Sequence, residues 1–361
     1  MQCSILTANA GHHYWIKIPR TATSLCINRK VSITHSRSKM KPKVLITRGD
    51  NDPAAIARLA KTCEIEVNPK PRAMTRTELL KGAIGKDALI VLPHNKIDEE
   101  LIQAAGPQLK VICTHSVGYD HINLDLMKKL GIKVAHTPGV LTNDVADLSV
   151  CLTLMTMRRV KEHIASIVND TWKNANASPF WLAGSCLADK TIGIMGLGRI
   201  GLATAKRLKS FEPRKIIYTA TKIKDEANGL AEMVSFEELL TQSDVIIITA
   251  SFNESTKGIF NKDAFAKMKN TAFIINTSRG GLINQDDLIQ ALKDGAIAGA
   301  GLDVMTPEPI PPNHELVQMP NVFLTPHIAS STRETRLKMI NLVVDNILAG
   351  LNGEPMPTRL C

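Results

Sequence analysis

After Met40, short apolar runs alternate with segments of helical spacing, a pattern typical of parallel strands joined by crossover helices. The apolar runs of the first half lie at residues 44–47, 88–92, 111–114 and 132–135. These runs are apolar at consecutive positions and not only at every second one, as expected of strands in a sheet that is covered on both faces. The pattern therefore predicts a first α/β domain built on a parallel sheet.

A turn at Thr137-Pro138-Gly139 interrupts this pattern, and one long helix is predicted from about residue 144 to residue 168. Further apolar runs follow at residues 191–195, 216–219, 245–249, 273–276, 298–302 and 322–325. About six strands form a complete dinucleotide-binding sheet. The last helical stretch, residues 335–348, has no strand after it, so it can pack on either domain. The predicted fold class is α/β, with two Rossmann-like parallel-sheet domains.

The length of 361 residues exceeds what one hydrophobic core usually supports, which also favours two domains. Hydrophobic residues make up 44% of the chain, and this excludes disorder as a description of the whole chain. The sequence contains no run of about eighteen apolar residues, so it predicts no membrane-spanning helix.

The formal net charge of +10 is concentrated at the N-terminus, where residues 1–40 contain six Lys and Arg and no Asp or Glu. Because the rest of the chain has an ordinary charge balance and no basic patch interleaved with aromatic residues, nucleic-acid binding is not expected. The leader, residues 1–41, has two interpretations. Either it is a transit peptide and the location is mitochondrial, or translation starts at Met40 and the location is cytoplasmic.

The seven cysteines lie far apart and contain no CxxC pair, at positions 3, 26, 63, 113, 151, 186 and 361. This spacing is typical of free thiols in a reducing compartment and differs from a disulfide framework or a zinc site. We therefore predict no metal site. Cys113 and Cys151 lie in apolar segments, where they are expected to be buried as small hydrophobic residues.

A glycine motif, Gly196-Leu197-Gly198-Arg199-Ile200-Gly201, connects a predicted strand to a predicted helix. Gly196 permits a tight turn, Gly198 the close approach of a pyrophosphate, and Gly201 contact between helix and strand. The first turn of the helix, which includes Arg199 and Ile200, offers free N–H groups to the phosphates. Because the motif lies within a series of strands and helices, it predicts a dinucleotide-binding site.

Cofactor preference is predicted from the end of the next strand, where a cofactor with a free ribose 2′-hydroxyl normally meets a carboxylate. No acid occurs there before Asp225. Thr219, Thr221, Lys222 and Lys224 instead offer hydroxyls and positive charges suited to a 2′-phosphate. Exposed charge pairs contribute only about 0 to 1 kcal/mol each, so the missing carboxylate is the larger effect. We predict NADPH as the preferred cofactor and NADH as the alternative; if the lysines belong to an ordinary solvated loop, the preference is weak.

Three polar residues lie beyond the ends of predicted strands, where ligands bind in open parallel sheets. Arg279 and His327 each follow an apolar run closely, and Glu308 lies between two prolines. Arg279 offers a planar fork to a carboxylate, at about 1.5 to 3 kcal/mol per charge-assisted hydrogen bond. His327 is suited to general acid catalysis because imidazole titrates near neutral pH, and Glu308 would orient it. Singly, each is better explained as a surface Arg, a capping His or a solvated Glu, and only their joint placement beyond strand ends makes the catalytic interpretation equally good.

The order of several motifs resembles that of the D-isomer-specific 2-hydroxyacid dehydrogenases, in particular their glyoxylate/hydroxypyruvate reductase branch. These motifs are the glycine motif, Thr277-Ser278-Arg279-Gly280, Gly301-Leu302-Asp303-Val304, Pro307-Glu308-Pro309 and Pro326-His327-Ile328. The resemblance extends over residues 40–357. It implies a discontinuous substrate domain, residues 42–140 and 333–361, into which a coenzyme domain of residues 141–332 is inserted. Catalysis is expected in the cleft between them, whose closure excludes water.

The resemblance also implies roles for residues around this cleft. Arg279, Glu308 and His327 take the roles described above. Backbone N–H groups of Val117 and Gly118 would hold the substrate carboxylate, and Asp303 would lie near the nicotinamide. The residues expected to line the cofactor and substrate cleft are Ser251, Thr277 and Ser330. Family members are typically dimeric through the coenzyme domain, so a homodimer is predicted.

The activity implied is NADPH-dependent reduction of small 2-oxo acids, such as glyoxylate or hydroxypyruvate, to 2-hydroxy acids, with His327 as the proton donor. Alternatives are a related dehydrogenase that acts on phosphoglycerate or formate, and a corepressor-like module that senses the dinucleotide without turnover. The complete set of Arg279, Glu308 and His327 argues against a module that only binds.

Two departures from the family pattern concern the shape of the substrate site. Pro93 stands where a Leu is expected. Ala177 stands where a Trp would reach into the partner's site, although Trp172 and Trp181 lie nearby in the sequence. Both departures leave the acid and its carboxylate partner intact, so they weaken only the choice of substrate.

Overall fold

The structure is a computed structural model that describes residues 40–70 and 72–361. Within these residues the chain forms two β-sheets, one of five strands and one of seven. Strand pairs in both sheets are parallel, as the alternation of apolar runs and helical segments predicts. The two interpretations of the leader fall on residues 1–41, nearly all of which lie outside the described residues.

The five-stranded sheet is built from the first part of the chain. Its strands are β1 (Lys43–Ile46), β2 (Glu64–Val67), β3 (Ala88–Val91), β4 (Val111–Thr114) and β5 (Lys133–Ala135). Its crossover helices are α1 (Pro53–Ala60), α2 (Arg76–Ala83), α3 (Glu99–Ala105) and α4 (Leu124–Leu130). The strand order is β2-β1-β3-β4-β5, which places the wholly buried β3 and β4 inside the sheet.

The seven-stranded sheet follows in the chain. The helices of this part are α5 (Thr142–Met157), α6 (Val160–Val168), α7 (Arg199–Leu208), α8 (Phe236–Gln242), α9 (Lys262–Lys267), α10 (Gln285–Lys293) and α11 (Glu315–Gln318). The strands are β6 (Thr191–Met195), β7 (Lys215–Thr219), β8 (Glu232–Met233), β9 (Val245–Ile248), β10 (Phe273–Asn276), β11 (Gly299–Leu302) and β12 (Val322–Leu324). The order β12-β11-β10-β9-β6-β7-β8 reverses its direction at β6. Ligands bind at such switch points, beyond the carboxyl ends of the strands.

The last helix, α12 (Arg333–Asn352), returns to the five-stranded sheet and packs against β3, β4, β5 and α1. Its buried side chains, among them Val343, Val344 and Ile347, share a core cluster with Val44 and Ile90 of the sheet. Fully burying such a side chain contributes about 1.5–3 kcal/mol. The sequence pattern left the position of this helix open, and the structure confirms the discontinuous, inserted arrangement of the predicted fold class. The boundaries at residues 140/141 and 332/333 stay a prediction.

The single helix predicted for residues 144–168 is wrong. The chain forms α5 and α6 instead, with the break at Arg158 and Arg159. Arg159 has a φ of 53°, in the left-handed region that no continuing α-helix adopts, and its guanidinium pairs with Glu162 at 2.6 Å. The apolar period continues across the break, so it does not mark a change in backbone conformation.

Two edge strands lack the continuous apolar run that predicts a buried strand. β2 reads Glu-Ile-Glu-Val, with its glutamates exposed and the other two residues half-buried, and β8 has only two residues. Both pair with the sheet along one side only, so they need no continuous apolar run. The number of strands therefore exceeds the prediction among the described residues, without changing the fold class.

Candidate active site

A cleft of about 2110 Å³ lies between the carboxyl ends of the two sheets. The segments that line it follow β1, β3, β4 and β5 on one side, and β9, β10, β11 and β12 on the other. Because all of these strands are parallel within their sheets, their carboxyl ends meet at one edge of each sheet. The topology therefore brings residues that are far apart in the chain to one cleft.

The glycine motif forms a tight turn between β6 and α7. Gly196 has a φ of +92°, and a Cβ on it would lie 2.6 Å from the Cα of Ala250. A Cβ on Gly201 would lie 2.2 Å from the carbonyl oxygen of Gly196, so helix and turn touch. A Cβ on Gly198 would meet no atom within 4 Å, and no side chain caps α7. The open space and the free N–H groups of Arg199 and Ile200 fit a dinucleotide pyrophosphate.

The end of β7 is the expected location of the adenosine ribose. Thr219 is half-buried there, while Thr221 and Lys222 are exposed. Lys224 is half-buried, and its backbone N–H donates to the Tyr218 hydroxyl at 3.0 Å. The first acid, Asp225, begins a short 3-10 helix, Asp225–Ala227. Along the chain after β7, hydroxyl and amino groups therefore come before the first carboxylate.

His327 and Glu308 form a hydrogen-bonded pair in the cleft. Their Nδ1 and Oε2 atoms are 2.7 Å apart, and about a third of each side chain is exposed. The other oxygen of Glu308 accepts from the Met305 N–H at 3.0 Å. Burial by itself would raise the pKa of Glu308, but the hydrogen bond and charge of His327, the Met305 N–H and the charge of Arg279 together lower it. Glu308 is therefore ionised at neutral pH and holds the imidazole by Nδ1, which leaves Nε2 as its free nitrogen.

The buried carboxylate of Asp303 holds the segment that carries His327. Its Oδ1 accepts from the Thr325 hydroxyl at 2.6 Å and the Ile328 N–H at 2.8 Å, and its Oδ2 accepts from the Ala329 N–H at 2.9 Å. The His327 N–H donates to the Asp303 carbonyl oxygen at 2.9 Å. His327 has a φ of 55°, a conformation that costs free energy for a residue with a side chain. These hydrogen bonds stabilise it there.

Arg279 lies opposite, against the loop after β4. Its Nε donates to Oδ1 of Asp120 at 3.0 Å, and its Nη1 donates to the Ser278 carbonyl oxygen at 3.0 Å. Nη2 is buried and has no hydrogen-bond partner within the described part of the chain. A Cβ on Gly118 would lie only 1.8 Å from Nη2, so any side chain there would displace the end of the guanidinium. Nη2 is therefore an unsatisfied donor in a residue that lines the cleft.

The loop after β4 is held from within by buried polar groups. The Ser116 hydroxyl donates to the Gly118 carbonyl oxygen at 2.6 Å and lies 2.8 Å from the Thr114 hydroxyl. In the described chain, the N–H groups of Val117 and Gly118 form no hydrogen bond. Val117, Gly118 and Arg279 all line the cleft, so these two N–H groups and the Arg279 guanidinium are candidates to hold one carboxylate.

The structure separates the predicted site residues into two groups. Those that line the cleft are Val117, Gly118, Ile200, Ser251, Thr277, Arg279, Glu308, His327 and Ser330. Those outside its lining are Gly196, Gly198, Arg199, Gly201, Thr219, Thr221, Lys222, Lys224 and Asp303. Except for Asp303, the second group belongs to the glycine turn and the end of β7. Pro93 also lines the cleft, and the Ala177 side chain is outside the description.

Asp120 and His136 are two of the polar residues of the cleft that sequence reasoning missed. His136 follows β5, and its Nδ1 lies 2.8 Å from the Val117 carbonyl oxygen. Asp120 follows β4 and pairs with Arg279. His136 directly follows the carboxyl end of its strand, which is the signal that identified Arg279 and His327 in the second sheet, so the same rule would have found it. Asp120 lies six residues beyond its strand, and only its contact with Arg279 in the structure identifies it.

Two histidines of the five-stranded sheet are kept neutral by burial. Burial lowers the pKa of both His115 and His121 to about 4, and for His121 the nearby Asp120 opposes this effect. The Nε2 of His121 lies 3.0 Å from the Thr114 hydroxyl, within the network that holds the loop after β4. Both imidazoles are therefore uncharged near neutral pH.

Comparison with known proteins assigns the chain to a family. Residues 150–329 match the family described as D-isomer specific 2-hydroxyacid dehydrogenase, NAD binding domain. The human glyoxylate reductase/hydroxypyruvate reductase is 47% identical over 324 residues, which are 88% of this chain and 97% of the human protein. This chain belongs to the D-isomer-specific 2-hydroxyacid dehydrogenases. It is thus an oxidoreductase of that family, with a nicotinamide dinucleotide as its cofactor.

Solved structures of similar proteins have the same fold. A protein of Thermus thermophilus has a TM-score of 0.82 and 39% identity, and the match covers 88% of this chain and all of that one. An NADPH-dependent glyoxylate/hydroxypyruvate reductase of Sinorhizobium meliloti, in complex with NADP and malonate, has a TM-score of 0.76 and 31% identity. That match covers 89% of this chain and 97% of the bacterial one. They confirm the two-domain parallel-sheet architecture.

Two further features of the described residues concern metal ions and membranes. No group of three or more His, Cys, Asp or Glu comes close enough together there to hold a metal ion. No helix among the residues described combines the length and the apolar character needed to cross a bilayer.

Proposed function

We propose that this dehydrogenase reduces small 2-oxo acids, such as glyoxylate or hydroxypyruvate, to 2-hydroxy acids, with NADPH as the preferred cofactor. The observation that carries the proposal is the pairing of His327 with Glu308 in a cleft that Arg279 also lines, with its Nη2 unpartnered among the described residues. A proton donor and a carboxylate-binding cation are what the reduction of a 2-oxo acid requires. The names of the human and S. meliloti relatives agree with this substrate class.

Each residue of the cleft has a separate part in the reaction. The nicotinamide, when bound beyond the glycine turn, supplies a hydride to the carbonyl carbon. Arg279, through Nη2, and the N–H groups of Val117 and Gly118 hold the carboxylate. His327 donates a proton from Nε2 to the carbonyl oxygen, and Glu308 keeps the ring oriented and stabilises its positive charge before transfer. General acid catalysis of this kind typically raises the reaction rate about 100- to 10,000-fold. Holding the substrate in position adds to this rate increase.

The preference for NADPH rests on the end of β7. A 2′-hydroxyl normally binds a carboxylate there, and a 2′-phosphate would be repelled by one. This chain has Thr219, Thr221, Lys222 and Lys224 before the first acid. Because the two lysines are at least partly exposed, each contributes little by itself, and most of the preference comes from the absence of the repelling carboxylate.

A homodimer formed through the coenzyme domain also belongs to the proposal. The supporting observation is a set of exposed apolar side chains on α6 and the segment after it: Ile164, Ile167, Val168, Trp172 and Phe180. Exposed apolar groups of this extent are typical of protein–protein interfaces. Sedimentation equilibrium of the wild type would test it: a dimer mass is expected, and a monomer at micromolar concentration would contradict it.

The deciding experiment compares two substrates with two cofactors. Purified protein is mixed with NADPH or NADH and with glyoxylate or hydroxypyruvate, and the loss of nucleotide absorbance gives kcat/KM for each of the four pairs. We expect turnover of both acids and a higher kcat/KM with NADPH. A higher value with NADH would contradict the cofactor preference alone. Cofactor binding without turnover of any 2-oxo acid would favour a module that only senses the dinucleotide.

A further inference from the structure

The ion pair between Asp120 and Arg279 connects the two sides of the cleft. Asp120 lies in the loop after β4 of the five-stranded sheet, and Arg279 follows β10 of the seven-stranded sheet. Their Oδ1 and Nε atoms are 3.0 Å apart, with 32% of the Asp120 side chain and 23% of the Arg279 side chain exposed. The pair can exist only while the two sheets are as close as they are here.

Each donor edge of the Arg279 guanidinium has a different environment. Nε binds Asp120, Nη1 binds the Ser278 carbonyl oxygen, and Nη2 is buried beside Gly118 without a partner among the described residues. A guanidinium is planar, so two hydrogen bonds on different nitrogens fix both its position and its plane. The Asp120 bond therefore determines where Nη2 points.

The charge of Asp120 by itself opposes substrate binding. A carboxylate beside the cation that binds an anion lowers the local positive potential and repels that anion. If electrostatic attraction were the only contribution, the site would bind a 2-oxo acid better without Asp120. A benefit from this residue must then come from geometry.

Asp120 lies in a loop whose conformation is stabilised by hydrogen bonds between its own side chains and backbone. The Nε2 of His121 lies 3.0 Å from the Thr114 hydroxyl, which lies 2.8 Å from the Ser116 hydroxyl. Ser116 in turn donates to the Gly118 carbonyl oxygen at 2.6 Å. These hydrogen bonds restrict the conformation of the loop, and Nδ1 of His121 has no hydrogen-bond partner among the described residues. The same loop thus carries the backbone donors and the carboxylate that orients Arg279.

We propose that Asp120 is a positioning residue that sets the guanidinium of Arg279 for the substrate carboxylate once the cleft is closed. The proposal rests on the proposed function, because it concerns the carboxylate of the 2-oxo acid. The backbone N–H groups come from one side of the cleft and the guanidinium from the other. Asp120 therefore links closure of the cleft to assembly of the complete carboxylate site.

The test replaces Asp120 by Ala and by Asn and measures kcat and KM separately with glyoxylate and saturating NADPH. Asp120→Ala should raise KM about 10- to 100-fold, which corresponds to the loss of one charge-assisted hydrogen bond, with a smaller change in kcat. Asp120→Asn keeps an acceptor oxygen at Oδ1, so it should restore most of the loss. The NADPH affinity and the thermal midpoint of both variants should equal those of the wild type.

Asp50→Ala is the matched control. Asp50 also lines the cleft, and it pairs at 2.7 Å with Arg48 of its own domain and not with Arg279. Removing this charge should leave KM equal or lower, because one anion less faces the substrate. An unchanged or lower KM in Asp120→Ala would overturn the proposal, as would an equal rise in Asp50→Ala.

Measuring the binding of malonate tests this proposal independently of the proposed function. It is a carboxylate that the enzyme cannot reduce, so its affinity for the protein–NADPH complex, measured by calorimetry, does not depend on turnover. Asp120→Ala should weaken malonate binding by a similar factor. If the wild type turned over no 2-oxo acid, the proposed function would fail, while malonate affinity would still decide whether Asp120 orients Arg279.

Discussion

The glycine turn and the His327 segment lie at the same edge of the seven-stranded sheet and use the same unusual backbone region in opposite ways. Gly196 reaches a φ of +92° because it has no side chain, and the space around Gly198 is open. His327 reaches a φ of 55° although it has one, because Asp303 holds the segment. The glycine turn presents its backbone N–H groups to a ligand, whereas the His327 segment presents a side chain.

The difference shows what each region should tolerate. At the turn, the N–H groups bind and any added carbon occupies the space of the ligand or of Ala250. At the His327 segment, the functional atoms belong to side chains, so the loss of a few atoms removes the chemistry and leaves the backbone in place. Additions should harm the turn, and deletions should harm the His327 segment.

The largest effect is expected for His327→Ala. Without the imidazole no group in the cleft donates the proton as described, so kcat should fall about 100- to 10,000-fold. Single-turnover and steady-state assays with glyoxylate and NADPH measure the loss. Cofactor affinity, followed by NADPH fluorescence, should stay within twofold or so, because the glycine turn is separate from this side chain. Normal turnover would reject His327 as the acid.

The next effect compares two glycines of the same turn. Gly198→Ala adds a Cβ that meets no protein atom within 4 Å, so its thermal midpoint should equal that of the wild type while NADPH affinity falls about tenfold. Gly196→Ala places a Cβ 2.6 Å from the Ala250 Cα at a φ of +92°, so it should lower stability by about 1–3 kcal/mol. Differential scanning calorimetry and fluorescence titration distinguish the two. Equal losses of stability would show that the space at Gly198 is not open.

A third effect concerns pH, and it distinguishes the glycine turn, which has no ionisable carboxylate or imidazole, from the loop after β4. His115 and His121 have pKa values of about 4 in the folded chain against an ordinary 6.5. Between these values the unfolded chain binds more protons, so stability is full above pH 6.5 and falls as the pH is lowered towards 4. The slope should reach about 1.4 kcal/mol per pH unit for each imidazole.

Urea unfolding at several pH values between 7.5 and 4.5 measures this slope. The variant His121→Gln should have a shallower slope, because one neutral imidazole is removed. A slope that is the same in wild type and variant would show that His121 is protonated in the folded chain. NADPH affinity per folded molecule should change less over the same range.

The sequence predicted the interior of both sheets well and their edges poorly. β3, β4 and β9 are buried at every residue, and this burial requires the continuous apolar runs that the pattern detects. β2 alternates exposed glutamates with half-buried residues, so it leaves no such run. The break between α5 and α6 was missed because apolar spacing reports which face of a helix is buried and not whether the backbone is continuous.

The sequence by itself determined the class of fold, the glycine turn and the identity of the polar residues at strand ends, because burial, steric freedom and charge are properties of each residue in its local pattern. Tertiary structure alone decided which sheet α12 covers, that the Asp303 carboxylate holds the His327 segment, and that Asp120 meets Arg279. Asp120 and Arg279 are 159 positions apart in the chain. Contacts at such separation follow from the order of the strands and the closure of two domains, and no local pattern encodes either.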